Sequence, residues 1–187
     1  MEEKVEIKLK PREEDRILAG HPWVYDNEIA RTEGAGASGA EARVYSGRGR
    51  FLGAGTLSPE SKIRVRLHSR SDEAWDAAFT RRILDSALDF RRRIRDLSSE
   101  SARIVFGEAD GLPGLVADRF VGIPLGPDGE PAGPAGSWIV LQVLAAGAEA
   151  RKAGIVRALG GALGPEGILE RSDAPVRRRE GLDPAVG

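Results

Sequence analysis

Apolar and polar residues alternate near the start of the chain. Val5, Ile7 and Leu9 alternate with Lys4, Glu6, Lys8 and Lys10, the period-two signature of a half-buried strand. Pro11 ends it, and residues 12–19 predict one or two helical turns before Gly20. A Gly/Ala-rich loop occupies residues 34–40. Residues 42–46 and 50–57 predict a hairpin across Gly47-Arg48-Gly49. Ile63, Val65 and Leu67 then alternate with Lys62, Arg64, Arg66 and His68. One face of that strand is apolar and the other carries four potential cations. Short strands separated by turn signals suggest a small barrel or sandwich.

The period changes after Ser71-Asp72, a helix N-cap signal. Phe79, Ile83, Ala87, Phe90, Ile94 and Leu97 recur at steps of three and four, one face of an amphipathic helix over roughly residues 73–97. Arg81, Arg82, Arg91, Arg92, Arg93 and Arg95, interleaved with Asp85, Asp89 and Asp96, form the other side and read as a solvated face. Strands at residues 103–106 and 115–120 flank a loop at 107–114. Residues 122–136, with four Pro and five Gly, predict a flexible insertion. Residues 138–144 predict an apolar central strand. Ile155, Val156, Leu159 and Leu163 stripe a helix over 148–163, closed by Gly164-Pro165, and a last strand follows at 168–170. The expected fold class is α+β: a small β-barrel in residues 1–72, then a small α+β domain in residues 73–187.

Composition narrows the function classes. The 187 residues are 41% hydrophobic and include 24 Gly, which excludes wholesale disorder. The longest apolar run, residues 138–146, is broken by Gln142 and falls far short of the roughly 20 residues of a membrane span. Met1-Glu2-Glu3-Lys4 is acidic and unlike a signal peptide, so a cytoplasmic protein without membrane contact is expected. Zero Cys removes disulfides, thiolate metal sites and a cysteine nucleophile. His21 and His68 are too few for a His-based zinc site, so no metal is expected. The net charge of −1 conceals an uneven distribution. Arg43, Arg48, Arg50, Lys62, Arg64, Arg66 and Arg70 face Glu60 alone across residues 43–70. That cluster is a footprint for a polyanion, although a solvated strand face explains the charge equally well.

Gly34-Ala35-Gly36-Ala37-Ser38-Gly39 fits the dinucleotide-binding fingerprint. A strand rather than a helix follows it, so no helix N-terminus is available to receive phosphates and the segment reads as a loop. No Walker lysine, G-x-S-x-G elbow or H-E-x-x-H pair is present. Two segments are too particular for ordinary surface. One is Gly107-Glu108-Ala109-Asp110-Gly111-Leu112-Pro113-Gly114. The other is Glu170-Arg171-Ser172-Asp173, followed by Val176-Arg177 and Glu180-Gly181-Leu182. Turns tied down by carboxylate-to-backbone hydrogen bonds are the plain alternative for both.

Taken with Gly20-His21-Pro22-Trp23-Val24-Tyr25 and Leu57-Ser58-Pro59-Glu60-Ser61-Lys62-Ile63, these runs resemble the class I SAM-dependent large-subunit (23S) rRNA cytosine-C5 methyltransferases. The run from Arg103 to Phe120 is the most specific part, and the resemblance covers essentially the whole chain. It implies an N-terminal PUA domain that binds RNA and a central α+β domain. It also implies that the family's third part, the methyltransferase domain with the SAM site and the catalytic cysteine, lies beyond this sequence. The chain is therefore expected to dock ribosomal RNA without turnover and to hold no cofactor, S-adenosylmethionine belonging to the intact family protein. His21, Trp23, Arg48, Arg50, Lys62, Arg64 and Arg66 are the expected RNA-binding residues, His21 and Trp23 by stacking on an unpaired base. A Trp in a small barrel is more often a core residue. Glu108, Asp110, Arg119, Arg171, Asp173, Arg177 and Glu180 are expected near the active site of the intact protein, and exposed and idle here. Members of the family often form homodimers, so a dimerisation or structural module with negligible RNA affinity is the alternative.

Overall fold

Strand β1 (Val5–Leu9) buries Val5, Ile7 and Leu9 and exposes Glu6 and Lys8, as the alternation predicts. It begins the computed structural model, which describes residues 5–187; the Met1–Lys4 start lies outside the described residues. Helix α1 (Glu14–Leu18) follows, then β2 (Trp23–Tyr25), β3 (Ile29–Glu33), β4 (Glu41–Tyr45), β5 (Phe51–Leu57) and β6 (Ile63–Ser69). They form one curled sheet in the order β2-β6-β5-β4-β1-β3. The expected hairpin is β4–β5, and all pairs are antiparallel except β1–β4. Val5, Ile7, Leu9, Ile17, Val24, Val44, Leu57 and Val65 fill its concave side. Burying such side chains stabilises the sheet by about 25 cal/mol for each Å² of apolar surface removed from water.

A second sheet, in the order β11-β10-β9-β8-β7, takes the rest of the chain. Its elements are α2 (Ala77–Arg92), β7 (Ala102–Phe106), β8 (Leu115–Gly122), β9 (Gly136–Val143), α3 (Ala146–Ala150), α4 (Lys152–Leu163), β10 (Gly167–Ser172) and β11 (Ala185–Val186). The strand expected at 138–144 is central, pairing antiparallel with β8 and parallel with β10. Both long helices share one core with the sheet, through Phe79, Leu84, Leu88, Ile104, Leu115, Ile139, Leu141, Ile155 and Leu159. The molecule is thus mixed α+β, with a curled half-barrel sheet beside a helix-backed one.

Four expectations need correction. Helix α2 starts later than Ser71-Asp72 and is capped by Asp76, whose carboxylate accepts the Phe79 N–H at 2.8 Å. Its buried stripe is Phe79, Thr80, Leu84, Ala87 and Leu88, whereas Phe90 and Ile94 are 57% and 63% exposed. The series Phe79, Ile83, Ala87, Phe90 and Ile94 runs off the buried stripe that Leu84 and Leu88 define. The helix expected at 148–163 is two helices, broken at Arg151, whose side chain is drawn across to the first sheet. Finally, Arg66 and His68 on β6 do not face solvent but are buried, because the second sheet and its loops cover that side. Of the cation row on β6, Lys62 and Arg64 remain accessible.

Candidate functional site

Arg66 spans the seam between the two sheets. Its Nη1 donates to Glu108 Oε1 at 3.0 Å and its Nη2 donates to Glu180 Oε1 at 2.9 Å. Glu180 is 1% exposed and also accepts from the hydroxyls of Ser58 (2.8 Å) and Ser61 (2.6 Å). The Trp23 indole N–H donates to Glu108 at 2.7 Å, and the Arg66 guanidinium lies 5.3 Å from the Trp23 ring centroid. One cation between two carboxylates holds the charge cluster together, with hydroxyls and an indole donating further hydrogen bonds to the carboxylates, while the buried Arg66 Nε has no partner among the described residues.

Two short turns carry those carboxylates. A 3-10 turn, Gly107–Asp110, presents Glu108 and ends at Gly111 with φ +75, a left-handed position that favours glycine. Asp110 ties the turn down by accepting the Phe106 N–H at 2.7 Å and both Arg91 terminal nitrogens, at 2.5 and 2.6 Å. The second turn, Pro175–Glu180, begins with Pro as a helical start favours. Arg177 on that turn donates to the carbonyls of Val143 and Asp183 and to Glu149. Burial pushes the Glu149 carboxyl up, but hydrogen bonds from Lys152 and Arg177 outweigh it and hold the group below the ordinary carboxylate value.

The seam has a second fastening. Arg151 donates to the carbonyls of Trp75 (2.7 Å), Gly39 (2.9 Å) and Gly147 (3.0 Å) and pairs with Glu41. A Cβ on Gly39 would lie 2.6 Å from the Ala146 carbonyl oxygen. The fingerprint-like loop is therefore where α3 docks. Beside this contact His68 is buried, its Nε2 3.0 Å from the Glu73 carbonyl and its ring 4.9 Å edge-on to Phe79. Burial lowers its pKa despite the nearby Glu73 carbonyl.

His21, Trp23 and Tyr25 form an edge-to-face group, with ring centroids 5.6 Å apart for His21–Trp23 and 6.4 Å for Trp23–Tyr25. Arg16 lies over Tyr25, and Arg70 donates to the His21 carbonyl at 3.1 Å. Trp23 is neither core nor free: it is half-buried, with its N–H taken. Arg48 and Arg50 are exposed at the β4–β5 turn, where their backbone N–H groups donate to Ser46 Oγ. Lys62 is exposed, and Arg64 is half-buried with its guanidinium on the Pro59 carbonyl.

The carboxylate and arginine set expected to be exposed and idle is mostly neither. Glu108, Asp110, Arg177 and Glu180 are engaged as described, and Arg119 reaches the Leu97 carbonyl. Arg171 and Asp173 alone fit the expectation, as an exposed pair at 3.3 Å in which Arg171 holds the Asp173 carboxyl below its usual value. Arg91, expected on a solvated face, is instead half-buried and paired with Asp110. Sequence reasoning missed Ser58, Ser61, Glu41 and Arg151. Their partners lie up to 122 residues away, beyond any local pattern. Among the described residues no group of three or more His, Cys, Asp or Glu could hold a metal ion. No helix among them is long and apolar enough to cross a membrane.

Comparison with known proteins gives the geometry a context. Residues 7–70 match the family model of a PUA-like domain. The chain is 37% identical over 176 residues to ribosomal RNA large subunit methyltransferase I of Klebsiella pneumoniae, covering 93% of this chain and 40% of that protein. It is also 37% identical over 186 residues to the protein of that name from Cronobacter sakazakii, covering 98% and 43%. Among solved structures, a proposed SAM-dependent methyltransferase from Streptococcus mutans superposes with a TM-score of 0.67 at 14% identity, over 89% of this chain and 40% of that one. A second, a proposed methyltransferase complexed with SAH, gives 0.67 at 15% identity, covering 90% and 40%. These two likenesses are of fold. The chain is homologous to part of the rRNA methyltransferases and spans about 40% of the length of the curated relatives it matches.

Proposed function

We propose that this chain is the RNA-docking N-terminal portion of a cytoplasmic SAM-dependent rRNA cytosine-C5 methyltransferase, with no turnover of its own. The observation that carries it is the 37% identity to ribosomal RNA large subunit methyltransferase I across 93% of the chain. The PUA-like match over residues 7–70 supports it, because Lys62, Arg64, Arg48 and Arg50 all lie in that stretch. Cations of this kind contact phosphates and position an RNA without discriminating its bases. His21, half-exposed beside Trp23, offers a ring to an unpaired base. Arg66 leaves the RNA-binding set, since Glu108 and Glu180 occupy it. Arg171 and Asp173 are the members of the second set free to face a catalytic domain. Cytosine C5 methylation needs a thiolate that adds at C6, and the chain has no Cys. On this reading the nucleophile and the SAM site are supplied from outside this sequence.

The test is fluorescence anisotropy with a labelled 23S rRNA fragment over a salt series, run beside a methyl-transfer assay with radiolabelled SAM. Binding that weakens steeply with salt, without label transfer or stoichiometric SAM binding, is the expected result. No RNA binding at low salt, or a one-to-one SAM complex, would count against the proposal.

A second role is favoured by the face of the second sheet that the helices leave open. Phe106, Phe120 and Leu169 are 54%, 50% and 46% exposed there, around the Arg103–Asp118 ion pair. An apolar sheet face of this kind suits a protein partner. Concentration-dependent dimerisation in sedimentation, together with absent RNA binding, would make the chain an assembly module instead.

A further inference from the structure

We infer that the turn Pro175–Glu180 adds Arg178 and Arg179 to the same phosphate-binding surface as Lys62 and Arg64, so that an RNA strand crosses the seam between the sheets. The inference rests on the RNA-docking role proposed above and names a part of the surface outside the PUA-like stretch.

The turn's own geometry comes first. A 3-10 helix repeats every three residues, so Arg177 and Glu180 share one face. Both point inward, at 3% and 1% exposure. Arg178 and Arg179 fall on the remaining faces, and both are exposed. Among the described residues neither makes an ion pair, in contrast to Arg177 with Glu149. Two guanidinium groups are thus held outward on a turn that its inner face fastens down.

Its position follows from Glu180. That carboxylate accepts the Ser58 and Ser61 hydroxyls, which belong to the turn leading into β6. The next residue, Gly181, sits against the side chain of Glu60, whose Cγ lies 2.6 Å from where a Cβ on Gly181 would be. Lys62 follows Ser61 directly, and Arg179 precedes Glu180 directly. These hydrogen bonds therefore bring the segment that carries Lys62 against the turn that carries Arg178 and Arg179. Arg64 is folded over that turn by its bond to the Pro59 carbonyl.

Acidic groups bound the surface. Glu60 and Asp183 are exposed along this edge, and Asp26 donates its N–H to the Lys62 carbonyl at 3.0 Å. The joined segments carry four cations and three carboxylates, so the proposed surface takes few phosphates rather than forming a broad basic face. The guanidinium fork suits phosphate oxygens, which it can bind through two parallel hydrogen bonds.

The test uses the whole chain and the labelled 23S rRNA fragment, with log K followed against log salt. Each phosphate neutralised contributes about 0.7 to 0.9 to the slope. Changing Arg178 and Arg179 together to Ser should weaken binding and flatten the slope by about one to two units. Lys62→Ser with Arg64→Ser should do the same. Arg92→Ser with Arg93→Ser, on the outer face of α2, should leave the slope unchanged. Arg178→Lys with Arg179→Lys should keep the wild-type slope, which separates charge from any loss of fold. A wild-type slope in the Arg178/Arg179 serine variant, with a flattened one in the Lys62/Arg64 variant, overturns the inference and leaves the RNA-docking role standing. Absence of salt-dependent binding by the unmodified chain overturns both.

Discussion

Arg66 is the residue on which both sheets converge, and its loss would leave Glu108 and Glu180 facing each other without a cation. Breaking a buried pair in this way costs about 3–5 kcal/mol. Arg66→Met should lower the urea midpoint accordingly, and adding Glu180→Gln should recover part of the loss by removing one uncompensated charge. A single variant as stable as the parent would show that the cluster contributes nothing. His68 supplies the pH dependence. Its folded pKa lies below the ordinary 6.5 because burial disfavours the charged ring. Glu41 and the Glu73 carbonyl oppose that shift, while Arg43 and Arg151 reinforce it. The folded chain thus binds fewer protons than the unfolded one. The stability His68 contributes is complete above about pH 6.5 and declines as pH falls through the lower folded value. Thermal melts of His68→Gln should show a shallower decline between neutral and mildly acidic pH, and an unchanged decline would contradict this. Neither role was legible in the sequence. Alternation along β6 separates Arg66 and His68 from Val65 and Leu67, but it does not reveal that a second sheet lies over them.

At the scale of elements, α3 is held against β5 by the absence of a side chain. A Cβ on Gly147 would fall inside contact distance of the Thr56 hydroxyl and methyl. Gly147→Ala should therefore push the helix off the sheet, at a cost of roughly 1–3 kcal/mol. Gly160 in α4 has open space around its Cβ position, and Gly160→Ala should stabilise the helix by about 0.5–1 kcal/mol. Thermal melts that shift in the same direction for both would refute the packing argument. The strands were largely legible in position: β1, β8 and β9 alternate in burial along much of their length, whereas β4, β5 and β6 form where the turn residues mark them but are buried on both faces. The helices were less so. The break between α3 and α4 depends on Arg151 reaching Gly39, Glu41 and Trp75, partners that no local period contains.

For the whole molecule, the resemblance carried by the runs at 103–120 and 170–182 was legible, and so was the order of a β-rich half before an α+β half. The seam between them was not, because the acids and arginines of those runs read as exposed function when most are bound to residues outside the runs: Glu108 and Glu180 to Arg66, Asp110 to Arg91, and Arg177 to Glu149. Arg66 with Glu108 and Glu180 fastens one region of the seam, and Arg151 with Glu41 and Gly39 fastens another. Such a body presents its outer cations in fixed relation to one another, as docking of a structured RNA requires. Hydroxyl-radical footprinting of the chain, free and bound to the 23S rRNA fragment, tests this most directly. RNA-dependent protection should fall on residues 48–50, 62–64 and 175–180 and spare the outer face of α2. Protection confined to residues 91–95, or none at RNA concentrations well above those expected to saturate, would contradict it.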